Sequence, residues 1–203
     1  MNFNTLKNIF WTLKKWRKRN FTAPSPEFVK HQIIKNNNLD NCLWIETGTY
    51  YGETTKMLSN ISKKTASIEA DEDLYNLAKR KLSNLSNVEI FFGRSEEILP
   101  NIIKSNLNFD NVCIYLDAHI CHDHLKDKKT FGNEEEGTPI KIELDHIQKY
   151  LKNFKKINIL IDDIRLFNNN FQNYPNKNFL VDWCIKNDLD WEIEHDIFII
   201  KKN

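Results

Sequence analysis

The chain has 203 residues, 40% of them hydrophobic and 12% aromatic, which is enough for one α/β domain with some decoration. Its 29 basic and 28 acidic side chains leave a net charge of +1, which excludes a global basic field; no nucleic acid is expected as a partner. No apolar run reaches transmembrane length and the amino-terminal stretch lacks an apolar signal core. A cytoplasmic setting is expected, and a reducing one, since Cys42, Cys113, Cys121 and Cys184 form no C-x-x-C pair. Cys42 and Cys113 fall in predicted strands and read as small buried hydrophobes.

Residues 3–19 read as a helix with Phe3, Leu6, Ile9, Phe10, Leu13 and Trp16 on one face and six lysines and arginines, Lys7 to Arg19, around the rest. Two readings stand for it. One is a basic amphipathic helix that lies on a membrane surface, the inner membrane for a cytoplasmic protein, or on an acidic partner. The other, favoured as the plainer, is a helix that covers the domain or a second copy of the chain. Thr22 to Pro26 breaks the pattern, and Ser25 as N-cap with Pro26 at the first helical position starts a helix to about Asn36. Residues 1–38 thus form an amino-terminal helical extension, and 39–203 form the main domain.

From Cys42 on, strands alternate with helices. Strands are expected at Cys42–Ile45, Thr65–Glu69, Val88–Phe92, Val112–Leu116 and Ile157–Ile161. Helices are expected at Asp73–Leu85, at Glu96–Lys104 with Pro100 as a kink or early stop, at Pro139–Lys152 and at Phe179–Lys186. Trp191–Glu194 and Ile197–Ile200 close the chain as an antiparallel hairpin around His195 and Asp196. The alternation implies a mostly parallel, Rossmann-like seven-stranded sheet with right-handed crossovers, helices on both faces and a carboxy-terminal antiparallel hairpin.

The chemistry concentrates at Leu43-Trp44-Ile45-Glu46-Thr47-Gly48-Thr49-Tyr50-Tyr51-Gly52-Glu53-Thr54-Thr55. An apolar strand ends in an acid, a loop with two glycines follows, and a helix starts at about Thr54. Gly48 and Gly52 permit a sharp turn and a close backbone approach, and the helix start offers unpaired N–H groups. The pattern is E-x-G-x-x-x-G and not the dinucleotide fingerprint G-x-G-x-x-G. A carboxylate at that strand end repels a pyrophosphate but welcomes an amino group or a sulfonium, and S-adenosylmethionine carries both. Thr47, at the strand end, and Thr54 and Thr55, at the helix start, are expected to bind the same cofactor. Glu69, about twenty residues after the loop and at the second strand end, suits the paired ribose hydroxyls. Gly93-Arg94-Ser95 follows the third strand; Ser95 or backbone is expected at the adenine, with Arg94 toward solvent.

The first motif resembles that of class I S-adenosylmethionine-dependent methyltransferases. With I-E-T-G-T-Y-x-G-x-T-T, S-I-E, G-x-S-x-x-x-L-P and L-D-A-H in order over residues 40–203, the chain is similar to small methyltransferases associated with bacterial surface-glycan biosynthesis. That resemblance makes residues 39–203 a methyltransferase domain. Acids at the ends of strands four and five, Asp117, Asp162 and Asp163, also resemble the metal ligands of catechol- and macrocin-type O-methyltransferases. Mg²⁺ held by these three is one open alternative; Asp162 or Asp163 as a cap and Asp117 as a metal-free substrate positioner is the other. His119 is a candidate general base beside Asp117. The cluster Cys121 to His124 is too tightly spaced to close a zinc site by itself. Residues 119–138 and 167–178 read as inserts that build the acceptor pocket, the first as a lid, with Arg165 available to a phosphate or carboxylate.

The resulting expectation is O-methylation of a hydroxyl on a sugar, nucleotide sugar or glycan precursor for capsule or lipopolysaccharide. The acceptor is a small molecule or glycan precursor, and peripheral membrane contact or self-association would run through the first helix. A nicotinamide-dependent reductase and a non-catalytic nucleotide-binding module are the competing readings; the missing third glycine and the terminal hairpin count against the reductase.

Overall fold

The computed structural model describes residues 3–118, 122–123, 128–129, 138–168 and 174–202. Seven strands form one sheet: β1 (Leu43–Thr47), β2 (Lys64–Glu69), β3 (Val88–Phe92), β4 (Asn111–Leu116), β5 (Lys156–Ile161), β6 (Asp190–Glu194) and β7 (Ile197–Lys202). Their order is β3-β2-β1-β4-β5-β7-β6. The first five run parallel, and β7 inserts antiparallel between β5 and β6. This is the mostly parallel, Rossmann-like seven-stranded sheet with a terminal antiparallel hairpin expected from the strand–helix alternation.

The central strands β1, β4 and β5 are almost wholly buried because both faces are covered. Side chains alternate accordingly. Leu43, Ile45, Ile114 and Ile159 pack with α5 (Ser95–Ser105), α6 (Ile140–Gln148) and α7 (Lys177–Lys186). Trp44, Cys113, Tyr115 and Leu160 pack with α2 (Glu27–Asn36) and α3 (Glu53–Ser59) on the opposite face. Cys42, Cys113 and Cys184 are free and buried.

Helix boundaries differ from the expectations for local reasons. Ser25 does not cap α2: Pro26 takes the N-cap position, and the buried Ser25 hydroxyl has no hydrogen-bond partner among the described residues. Helix α4 (Glu72–Lys81) starts early because the Asp71 carboxylate accepts from Leu74 N at 3.0 Å, and it stops short of Leu85. Pro100 does not end α5, whose Leu99, Ile102 and Ile103 are buried on either side of it. Helix α6 ends at Gln148, and a single 3₁₀ turn, Leu151–Asn153, takes up the rest of the expected helix.

The amino-terminal segments behave differently from each other. In α2, Ile33 and Ile34 are fully buried against the sheet. In α1 (Phe3–Lys18), Trp16 is the one buried side chain among the described residues, while Leu6, Phe10, Trp11 and Leu13 are exposed. Trp16 packs its ring at a tilt against His195 in the β6–β7 turn, with centroids 5.2 Å apart, and donates its indole N–H to Thr22 O at 2.9 Å. Among the described residues of α1, Trp16 is thus the anchor to the domain, and Leu6, Phe10 and Leu13 of its apolar face are exposed. No helix among the described residues is long and apolar enough to cross a membrane. Most of the expected lid at 119–138, His119 and Cys121 included, lies outside the described residues, as do residues 169–173; a two-residue ladder pairs His122–Asp123 with Lys128–Lys129.

Candidate active site

The carboxyl ends of β1, β2, β4 and β5 open on the same edge of the sheet, where open α/β sheets bind ligands. At the β1 end, Glu46 points to the α2–α3 face and is 1% exposed. Its Oε2 accepts from the hydroxyls of Thr55 at 2.5 Å and Ser67 at 2.6 Å, and among the described residues it has no cationic partner. Desolvation pushes its pKa up to about 8, against the two hydroxyls that favour the ionised form, with Asp117 and Glu69 adding repulsion. A carboxyl in this state gains most from a ligand that brings its own positive charge.

The loop after β1 is fixed by the neighbouring strands. Gly48 has φ +90°, and a Cβ there would lie 2.8 Å from Asp117 O, so glycine is required by conformation and by contact. The close approach is thus to the chain's own β4 end. Gly52 is left-handed too and caps α3, which begins at Glu53 and has only seven residues; a Cβ on Gly52 would strike Leu82. Glu69 ties the loop down: its Oε2 accepts from Tyr50 N at 2.7 Å and its Oε1 from Asp71 N at 2.9 Å. Each oxygen keeps a lone pair. Burial raises the Glu69 pKa. Thr54 approaches the His31 ring at 3.4 Å. Arg94, expected toward solvent, instead pairs with Glu96 at 2.5 Å.

Thr47 points the other way, to the α5–α6 face. Its hydroxyl and that of Ser95 face the carboxyl of Glu143, and both favour ionisation there, yet burial dominates and lifts the Glu143 pKa to about 7. Thr47 Oγ1, Ser95 Oγ and Glu143 Oε1 are buried without a well-formed hydrogen bond among the described residues. Sequence reasoning missed Glu143. The signal was present: an acid three residues after Ile140 and four before Ile147 sits on the apolar face of α6.

A cleft between the β4 and β5 ends is lined by Asp117, Glu143, Asp162, Asp163, Phe167 and Tyr174, among others. The two aromatic rings meet edge to face at 5.3 Å. Asp117 N donates to Thr47 O at 3.1 Å, which seats the β4 end beside the β1 end. Among the described residues, the acids close enough to share an ion are Asp162, Asp163 and Asp196, so Asp117 is replaced by a residue from the β6–β7 turn. These three acids already have cations. Lys30 of α2 lies 2.5 Å from Asp162 Oδ2 and 3.4 Å from Asp163 Oδ1, and Arg165 pairs with both Asp163 and Asp196. The expected Mg²⁺ set is therefore not supported, and Arg165 is committed to carboxylates of its own chain. Lys30 gave no sequence signal, since it lies outside the strand–helix alternation.

No family model matches the chain. A 65-residue stretch is 42% identical to an rRNA adenine N-6-methyltransferase of Escherichia coli; it makes up 32% of this chain and 26% of that relative, so the match spans about a quarter of it. A Streptococcus mutans protein assigned as a methyltransferase and crystallised with S-adenosylhomocysteine superposes with a TM-score of 0.53 at 14% identity, over 89% of this chain and 98% of that one. An assigned rRNA-methylase of Clostridium thermocellum gives 0.53 at 11% identity, over 85% and 93%. An assigned caffeoyl-CoA O-methyltransferase of Staphylococcus aureus gives 0.51 at 16%, over 93% and 89%. At these identities the three structures establish the fold.

The expectation that nucleic acid plays no part is overturned by the E. coli relative, a methyltransferase named for rRNA. The error has a physical source. Net charge sums the whole chain, whereas a polyanion needs only a local patch. Lys15, Arg17 and Lys18 crowd the last turn of α1, where all three are exposed.

Proposed function

We propose that the chain is an S-adenosylmethionine-dependent methyltransferase acting on nucleic acid, with an exocyclic base amine as the receiving atom. One observation supports the donor half above all: Glu46 is buried at the β1 end with hydroxyl partners and no cation among the described residues. Glu46 would hold the amino end of the donor, Glu69 the ribose, and Thr47 with Ser95 the neighbourhood of the adenine. The donor set fits: two uncompensated carboxyls, unspent hydroxyls and a loop that cannot carry a Cβ at Gly48. Bound there, S-adenosylmethionine supplies an electrophilic methyl group on sulfonium.

On the acceptor side, the half-buried Tyr174, backed edge to face by the buried Phe167, would offer a ring to a planar base, and Asp117 would accept an N–H bond from it. Asp117 would orient the amine in line with the methyl group and take its proton as the N–C bond forms and the S–C bond breaks, with S-adenosylhomocysteine as the leaving group. His119 is the second proposed proton acceptor and lies outside the described residues.

A sugar or glycan hydroxyl is the second reading, favoured by the same carboxylates at the β4 and β5 ends, which accept O–H as readily as N–H. The test is transfer of labelled methyl from S-adenosylmethionine to total RNA and, separately, to nucleotide-sugar and glycan-precursor pools. Label in RNA, lost in Asp117→Ala, supports the first reading; label only in the sugar pool replaces it with the second. Calorimetry that finds saturable NAD(P) binding and none of S-adenosylhomocysteine ends both.

A further inference from the structure

We propose that Lys30 is the resident cation of the acceptor site, holding Asp162 and Asp163 where related architectures would place a divalent ion. The inference rests on reading the β4–β5 cleft as a methyl-acceptor site, but its evidence is the coordination of the acids themselves. Asp162 has no oxygen to offer a metal on favourable terms. Its Oδ2 accepts from Lys30 Nζ at 2.5 Å and from the buried Tyr115 hydroxyl at 2.5 Å, and its Oδ1 accepts from Asp163 N at 2.7 Å. The Asp162 side chain is 1% exposed. Asp163 and Asp196 share the Arg165 guanidinium, and Asp196 Oδ1 also accepts from Arg165 N at 3.0 Å. Three carboxylates thus meet two fixed cations before any ligand arrives.

Lys30 is not free to leave. Ile33 and Ile34, three and four residues on, lie on the same face of α2 and are fully buried against Trp44 and Leu58. The ammonium is therefore delivered by a helix locked into the core. Asp162, Asp163 and Asp117 all favour its charged form and outweigh the desolvation that opposes it. A divalent ion entering this cluster would have to displace Lys30 and face Arg165 at close range. An ammonium neutralises charge as a metal does, but it offers no open coordination positions. The site consequently places no demand on the acceptor for two adjacent oxygens, and Lys30 acts as a positioning residue through Asp162.

The test is Mn²⁺ binding, read by electron paramagnetic resonance of the free ion and by thermal protection, on the full chain. Wild-type protein should show no saturable site up to roughly millimolar metal, the weak end for carboxylate sites. Lys30→Met should create one, Lys30→Arg should not, and Asp162→Asn in the Lys30→Met background should abolish it. Saturable Mn²⁺ binding by wild-type protein that Asp162→Asn removes overturns the proposal. So does a folded Lys30→Met variant that binds no metal. If Lys30→Met does not fold, the wild-type titration decides alone, with saturation against the proposal and its lack in favour. Calorimetry with S-adenosylhomocysteine on the same preparations reports separately on the donor reading, which can fail while the metal result stands.

Discussion

The two halves of the sheet edge solve one problem in opposite ways. Both bury carboxyl groups. At the β1 and β2 ends, Glu46 and Glu69 are satisfied by hydroxyls and backbone N–H groups, with no cation on either among the described residues. At the β5 end, Asp162, Asp163 and Asp196 are satisfied by Lys30 and Arg165. Burying a charge without a counter-charge is costly, so the first arrangement stores an affinity for a cation and the second has already spent it. On the proposed reading, the contrast matches a positively charged donor to one half and a neutral acceptor to the other.

The strongest way to break this comparison is at the joint between the halves. Gly48→Ala puts a Cβ against Asp117 O in a left-handed backbone. It should cost roughly 1–3 kcal/mol in strain and abolish S-adenosylhomocysteine binding, as seen by thermal unfolding and calorimetry. Next comes Glu46→Gln, which keeps the shape and an acceptor for Thr55 and Ser67 but removes the charge. Donor affinity should fall about 10- to 100-fold, as for loss of a charged hydrogen bond, with little change in melting temperature. Unchanged affinity would remove Glu46 from the donor site.

A smaller effect sharpens the electrostatics. The carboxyls of Glu46 and Glu143 have folded pKa values near 8 and 7, above the ordinary 4.5. Between the unfolded and folded values the folded state binds more protons, so stability is full below about pH 4.5 and declines as pH rises toward 7 to 8. Melting temperature should fall over that range in the ligand-free protein, and Glu143→Gln should flatten part of the decline; a rise with pH would refute the assignment. Because binding an ammonium group ionises Glu46, donor binding below pH 8 should also release a proton, visible as buffer-dependent heats. The smallest expected change is Trp16→Ala, which removes the anchor of α1. Global melting should barely shift, while limited proteolysis within residues 3–18 should speed up.

Much of this was legible in the sequence. The five βα units and the hairpin follow from apolar runs separated by helical stretches, and Glu46, Glu69 and Asp117 were singled out as candidates because they stand at or just past strand ends, where such sheets bind. What escaped came from side chains on helices and turns. Lys30 and Asp196 are polar residues whose burial depends on tertiary packing, and a single sequence does not show which partners α2 and the hairpin turn meet, whereas Glu143 was overlooked although its place on the apolar face of α6 was readable. The Mg²⁺ alternative finds no support for that reason: acids are visible in a string of letters, whereas the cations that pair with them come from elsewhere in the chain. The charge balance of +1 misled in the same way, as an average taken where only position counts.

Gly48 and Asp117 touch backbone to backbone, and Asp117 N is bonded to Thr47 O. On the proposed reading, the spacing between where a methyl leaves and where it arrives is gauged by two adjacent strands. Substitutions elsewhere around the cleft would then exchange one recipient molecule for another while the reach of the transfer stays constant.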